Sequence, residues 1–125
     1  TFAFGHCTTV CPLTVAAARG AARRLADRGA VLLVVTLDPW RDTESRLPFL
    51  AEAWELGDGM HLLSGEVATV ERTLSAWRVP RARNPSSGDV THPSMVYVVS
   101  PAGRLAYALG ADAEAIVAAV RALPV

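Results

Sequence analysis

Ala30-Val31-Leu32-Leu33-Val34-Val35-Thr36-Leu37-Asp38-Pro39 carries the longest apolar run of the chain, broken only by Thr36. The run is β-branched, and it is too short for a membrane helix, which needs ~20 apolar residues. A continuous rather than alternating apolar pattern predicts a parallel strand buried on both faces. Asp38-Pro39 ends it.

A parallel strand needs a crossover connection, usually a helix. Upstream, Pro12 to Arg28 supplies one: it is Ala-rich, with Leu13, Ala16, Ala17, Ala21 and Leu25 near helical spacing. Pro12 suits the first turn, where its missing N–H costs nothing. Gly29 is placed to end the helix. Before it, Thr1-Phe2-Ala3-Phe4 reads as a short apolar strand. That strand runs almost directly into Cys7, and such an abrupt opening leads us to expect further strands, and any anchor, upstream of Thr1.

Downstream, a second helix is expected over about Glu44 to Trp54, capped by Thr43 or Ser45, with Pro48 near its first turn. His61-Leu62-Leu63 is a short extended piece, and Glu66 to Trp77 a third helix with Val70, Leu74 and Trp77 on one face. Val79 to Thr91 is one long irregular segment, a kind that is often functional. Ser94 to Val99 and Arg104 to Leu109 form a hairpin around Pro101-Ala102-Gly103, and Asp112 caps a last helix that runs to Leu123. The order β-α-β-α-(β)-α-β-β-α is a βαβ unit followed by a ββα unit. This is the thioredoxin arrangement: an α/β domain with a central mixed sheet flanked by helices, here a single domain over residues 1–125.

Composition narrows the function classes. Acidic and basic residues number twelve each, and charged residues are 19% of the chain. Without a basic stripe, nucleic acid is not an expected partner. All twelve bases are Arg, which reads as a compositional bias. Two cysteines are too few for the disulfide framework of a small secreted domain.

Those cysteines, Cys7 and Cys11, stand four apart at the C-terminal end of the first strand, where open α/β sheets tend to hold ligands. Residues four apart share one helix face, and a helix N-terminus favours thiolate over thiol. Two converging thiolates suit Cu(I) or Zn; they can also close into a disulfide. The plain alternative is a pair of small buried hydrophobes. In this topology His92-Pro93 faces the start of the first helix, so His92 completes a set of two sulfurs and one nitrogen. Pro93 occupies the spot where a cis-proline is common, and the sequence leaves open whether its bond is cis. His6 is a weaker candidate ligand, and His61 reads as structural.

Three segments resemble the Sco/SenC proteins, copper-binding assembly factors for cytochrome c oxidase with a thioredoxin-like fold. Phe4-Gly5-His6-Cys7-Thr8-Thr9-Val10-Cys11-Pro12 is similar to the family's CxxxCP loop. Leu37-Asp38-Pro39-Trp40-Arg41-Asp42-Thr43 is similar to its D-P-x-R-D-T signature. His92 to Gly103 is similar to its H-S-x-x-x-Y-L-x-D-P-x-G. The resemblance implies copper, Cu(I) or Cu(II), held by Cys7, Cys11 and His92, with Asp38 as a carboxylate close behind the cysteines and Arg41 and Asp42 pairing locally to hold their loop. It implies a metallochaperone rather than an enzyme, acting on the Cu(A) site of oxidase subunit II. Other copper chaperones or thiol reductants are further partners. It also implies an extracytoplasmic domain, anchored to the membrane by an upstream segment. The departures are Thr8-Thr9 in place of Pro-Asp, Pro93 in place of serine and Ser100 in place of aspartate.

Two other functions use the same residues. A thiol-disulfide oxidoreductase acting on the oxidase cysteines would cycle Cys7 and Cys11 as its redox pair. A peroxiredoxin-like peroxidase would use Cys11 of Thr8-Thr9-Val10-Cys11-Pro12 as the peroxidatic thiolate, leaving Cys7 and His92 without a role.

Overall fold

The computed structural model describes residues 1–7 and 10–124. Its strands are β1 (Phe2–Ala3), β2 (Leu32–Thr36), β3 (Met60–Leu63), β4 (Ala82–Arg83), β5 (Val90–Thr91), β6 (Met95–Val99) and β7 (Leu105–Gly110). Its α-helices are α1 (Val10–Arg24), α2 (Leu47–Ala53), α3 (Val67–Ala76) and α4 (Ala113–Arg121). Among the described residues, no helix is long and apolar enough to cross a membrane.

The long apolar run is β2, and it is the middle strand of a parallel sheet ordered β1-β2-β3. Phe2 lies opposite Val35, and Leu32 opposite Met60. β6 and β7 pair antiparallel, with a shift in register at Val98/Val99. Instead of one continuous mixed sheet, the two pieces meet beside β1. There the Thr1 hydroxyl donates to the Met95 carbonyl (2.7 Å), and Phe2 meets Tyr97 edge-to-face at 5.4 Å. β1 makes its ladder with β2, and none with β6 among the described residues. The resulting order β3-β2-β1-β6-β7, with its βαβ and ββα halves, is the thioredoxin-like arrangement.

Burial corrects two expectations. β2 is not buried on both faces: Leu32, Val34 and Thr36 point into the core, whereas Leu33 is 46% exposed. Val31, Leu33, Val35, Leu63 and Val99 line an open apolar groove of about 740 Å³ beside Thr1. On α1 the buried stripe is Cys11, Thr14, Val15, Ala18 and Ala21, continued by Leu25 just past its end, and Leu13 is 72% exposed. An Ala-rich helix is apolar on every side, so its larger side chain did not mark the inner face.

The caps follow local chemistry. Asp112 accepts hydrogen bonds from Glu114 N (2.9 Å) and Ala115 N (3.3 Å), closing the start of α4. Thr43 precedes a short 3₁₀ turn over Glu44–Arg46 without a side-chain cap, and Pro48 sits in the first turn of α2. Gly29 ends a 3₁₀ turn after α1 at φ 68°, which suits glycine. The segment 79–91, expected to be irregular, contains the ribbon β4–β5, with Arg83 opposite Val90.

Leu74 is fully buried in the core under α3. Leu74→Ala is expected to lower unfolding free energy by about 2–5 kcal/mol, and Leu13→Ala to stay within about 0.5 kcal/mol. Urea denaturation of the two variants checks the inward face of each helix.

Candidate metal centre

The end of β1, the start of α1 and the segment after β5 bring Cys7, Cys11 and His92 together. One ligand atom from each lies within 4.8 Å of the others. Cys11 N–H donates to Cys7 Sγ at 3.4 Å, so the first turn of α1 closes on the earlier cysteine. His92 Nε2 stands 3.3 Å from Cys11 Sγ. The imidazole is held from two sides: Phe4 meets its ring edge-to-face at 5.8 Å, and Nδ1–H donates to the Pro93 carbonyl at 2.9 Å. Cys11 is fully buried, while Cys7 and His92 are partly exposed and form the approach from solvent.

Two partners fix the arms of this cluster. Asp42, at 1% exposure, accepts from Gly5 N–H (3.0 Å) and from the Thr36 hydroxyl (2.7 Å), tying the Cys7 loop to the end of β2. Gly5 has room for nothing more, since a Cβ there would stand 2.8 Å from Asp42 Oδ1. Thr14, one turn beyond Cys11, shares a hydrogen bond with Ser94, two residues beyond His92. Sequence reasoning gave Asp42 a local pairing role and did not pick out Thr14. The signal for Thr14 was its place three residues after Cys11, one turn along the same helix.

Asp38 is fully buried at the end of β2. One oxygen accepts from Arg41 Nε, and the other has no hydrogen-bond partner among the described residues. The carboxylate whose charge bears on Cys11 is that of Asp42. His6 is exposed and outside the cluster, and His61 is exposed on β3. Pro93 is not cis, because the described residues contain no cis peptide bond. The trans form is the favoured one by about 0.5–1 kcal/mol, and it already delivers His92 to Cys11. Thr8 and Thr9, the main departure in the first motif, lie outside the described residues.

The electrostatics differ from those expected at a helix N-terminus. Burial, then the hydrogen bond with Cys7, push the Cys11 thiol up to about 12, against a smaller opposing pull from the Phe4 backbone. Burial lowers the His92 pKa, and its bond to the Pro93 carbonyl acts the other way. At neutral pH the cluster therefore holds a neutral imidazole and a protonated Cys11. Two sulfurs and one imidazole nitrogen at this spacing suit a soft, thiophilic ion, copper or zinc. A peroxidatic cysteine needs the reverse, a stabilised thiolate.

The SCO1/SenC family model matches residues 1–123. The chain belongs to the SCO1/SenC family. Among solved structures, this SCO1/SenC domain is similar to Arabidopsis thaliana ScoI with copper bound (TM-score 0.82, 21% identity, covering 95% of this chain and 77% of that one). It is similar to apo Sco1 from Thermus thermophilus (TM-score 0.75, 29% identity, 97% and 75%). It is also similar to BsSco, described by a disulfide switch and as a member of the Sco family of cytochrome c oxidase assembly proteins (TM-score 0.75, 22% identity, 96% and 75%). No protein of curated function matches the chain.

Because Cys11 is a thiol before the ion arrives, binding must release its proton. Cu(I) affinity, from competition with a chelator corrected for its own titration, is expected to rise about tenfold per pH unit for each proton displaced between pH 6 and 8. A flat profile contradicts a protonated Cys11.

Proposed function

We propose that this SCO1/SenC domain is a copper metallochaperone in which Cys7, Cys11 and His92 hold the cargo ion for assembly of the Cu(A) site of cytochrome c oxidase. The single observation that carries this reading is the convergence of three soft donors within 4.8 Å at the end of β1. Cu(I) is content with three such ligands, and thiolates favour it over harder ions. The copper bound to Arabidopsis thaliana ScoI and the oxidase-assembly family named for BsSco support the cargo and the destination. The receiving protein is then oxidase subunit II, outside the cytoplasm. Cys7 and His92, partly exposed, are the donors an acceptor's thiolates can replace one at a time, with Cys11 the last to let go.

Chelator competition tests the ligand set. Cys7→Ser, Cys11→Ser and His92→Ala should each weaken Cu(I) binding, the cysteine changes by more than the roughly 10–100-fold lost with an outer supporting group. Wild-type affinity in both cysteine variants rejects the reading.

A second reading rests on the same pair. Cys7 and Cys11 are not joined by a disulfide, and their sulfurs lie close enough for one after a small shift. The disulfide switch described for BsSco favours such a cycle. In it Cys7, the more accessible thiol, attacks and Cys11 resolves. Cys11→Ser should then trap a mixed disulfide through Cys7 with an oxidised peptide bearing the oxidase cysteines. No adduct by mass spectrometry counts against a reductase role.

A further inference from the structure

Neither thiol nor imidazole is placed by its own element alone, and the turn 38–42 reaches both ligand arms. Asp42 grips the Cys7 arm through Gly5. The His92 arm is gripped by Arg41. Its Nε donates to buried Asp38, Nη2 to the Gly88 carbonyl at 2.8 Å and Nη1 to the Ser87 carbonyl at 3.4 Å. All three guanidinium nitrogens are thereby committed, with an acid behind and two backbone carbonyls in front.

The receiving turn is shaped for this contact. Gly88 is buried at φ 80°, and a Cβ on it would come 3.1 Å from Arg41 Cζ. Asn84 folds the turn by accepting from Ser86 N (2.9 Å) and Ser87 N (3.3 Å), and Gly88 N–H donates to the Asn84 carbonyl at 2.7 Å. A second tether runs from the same ribbon, where the Arg83 guanidinium lies over the Trp40 ring at 4.4 Å. From this turn, β5 spans only Val90–Thr91 before the chain reaches His92.

We propose that Arg41, oriented by Asp38, is a positioning residue that holds the Ser87-Gly88 turn and through it sets His92 in the metal cluster. Resting on the copper reading above, this makes the D-P-x-R-D segment a single bracket for two ligand arms. A two-residue ribbon has little stability of its own, so without the clamp the approach to His92 is loosened and only the Phe4 ring contact and the Thr14–Ser94 hydrogen bond remain to hold that arm. The two sulfurs stay where Asp42 and α1 keep them.

The test is a double-mutant cycle on the whole chain. Arg41→Met alone would strand a buried carboxylate, so the clamp is removed as Asp38→Asn/Arg41→Met, and His92→Ala is made alone and in that background. Cu(I) affinity of the clamp variant is expected to fall by roughly 10–100-fold, close to the loss in His92→Ala. Adding His92→Ala to it should cost less than about another twofold, since coupled residues are not additive. The Cu(II) spectrum of the clamp variant should match that of His92→Ala, which a merely structural change would not produce. Gly88→Ala keeps Asp38 and Arg41 but pushes the guanidinium away, and serves the same comparison if the double variant does not fold. Wild-type affinity in the clamp variants, or losses that multiply with His92→Ala, overturns the proposal while leaving the ligand set intact. No effect of His92→Ala itself overturns the ligand set, and the proposal with it.

Discussion

A buried carboxylate, Asp42, is the constraint on which the site depends. Burying a charge is costly unless hydrogen bonds satisfy it, and bonds to an ionised acceptor are among the stronger kind. Gly5 N–H and the Thr36 hydroxyl supply them. The same two contacts join the exit of β1 to the end of β2, so the strand that leads to Cys7 cannot shift without leaving the buried charge unsatisfied. Thr36 also accepts from Asp38 N–H, and Asp42 N–H donates to the Asp38 carbonyl, so the turn is closed upon itself. Its side chains then project toward the two ligand arms.

Much of this was legible. The β-branched run over 30–37 announced a parallel strand because no soluble helix pattern fits it, and Asp112 announced α4 because an aspartate before an apolar stripe caps. The cysteine pair was legible as metal-or-redox chemistry from spacing. His92 needed topology, since it lies 81 positions from Cys11 and only the fold brings the two to 3.3 Å. The ribbon β4–β5 was hidden because two-residue strands have no period; Asn84, Gly88 and a distant arginine hold it. Asp42 was hidden in its role for another reason: an aspartate after a strand ordinarily faces water, and only the closed turn shows it facing inward.

Burial gives the cluster its chemical character. The helix N-terminus should ease the ionisation of Cys11, yet removal from water and the adjacent sulfur prevail, and the thiol is held near 12. Cys11 therefore stays a thiol until an ion displaces the proton from its sulfur. Cys7, partly exposed, keeps the accessible face. Depth thus divides the pair into an inner donor and an outer one.

The hydrogen bond from His92 Nδ1 to the Pro93 carbonyl has a consequence for tautomerism. A carbonyl can only accept, so the ring hydrogen resides on Nδ1 and the Nε2 lone pair is aimed at Cys11. The nitrogen that faces the sulfur is therefore the basic one, ready to meet an ion without giving up a hydrogen, whereas Cys11 must first give up its own. The inner half of the centre thus pairs one donor that stands ready with one that has to be opened.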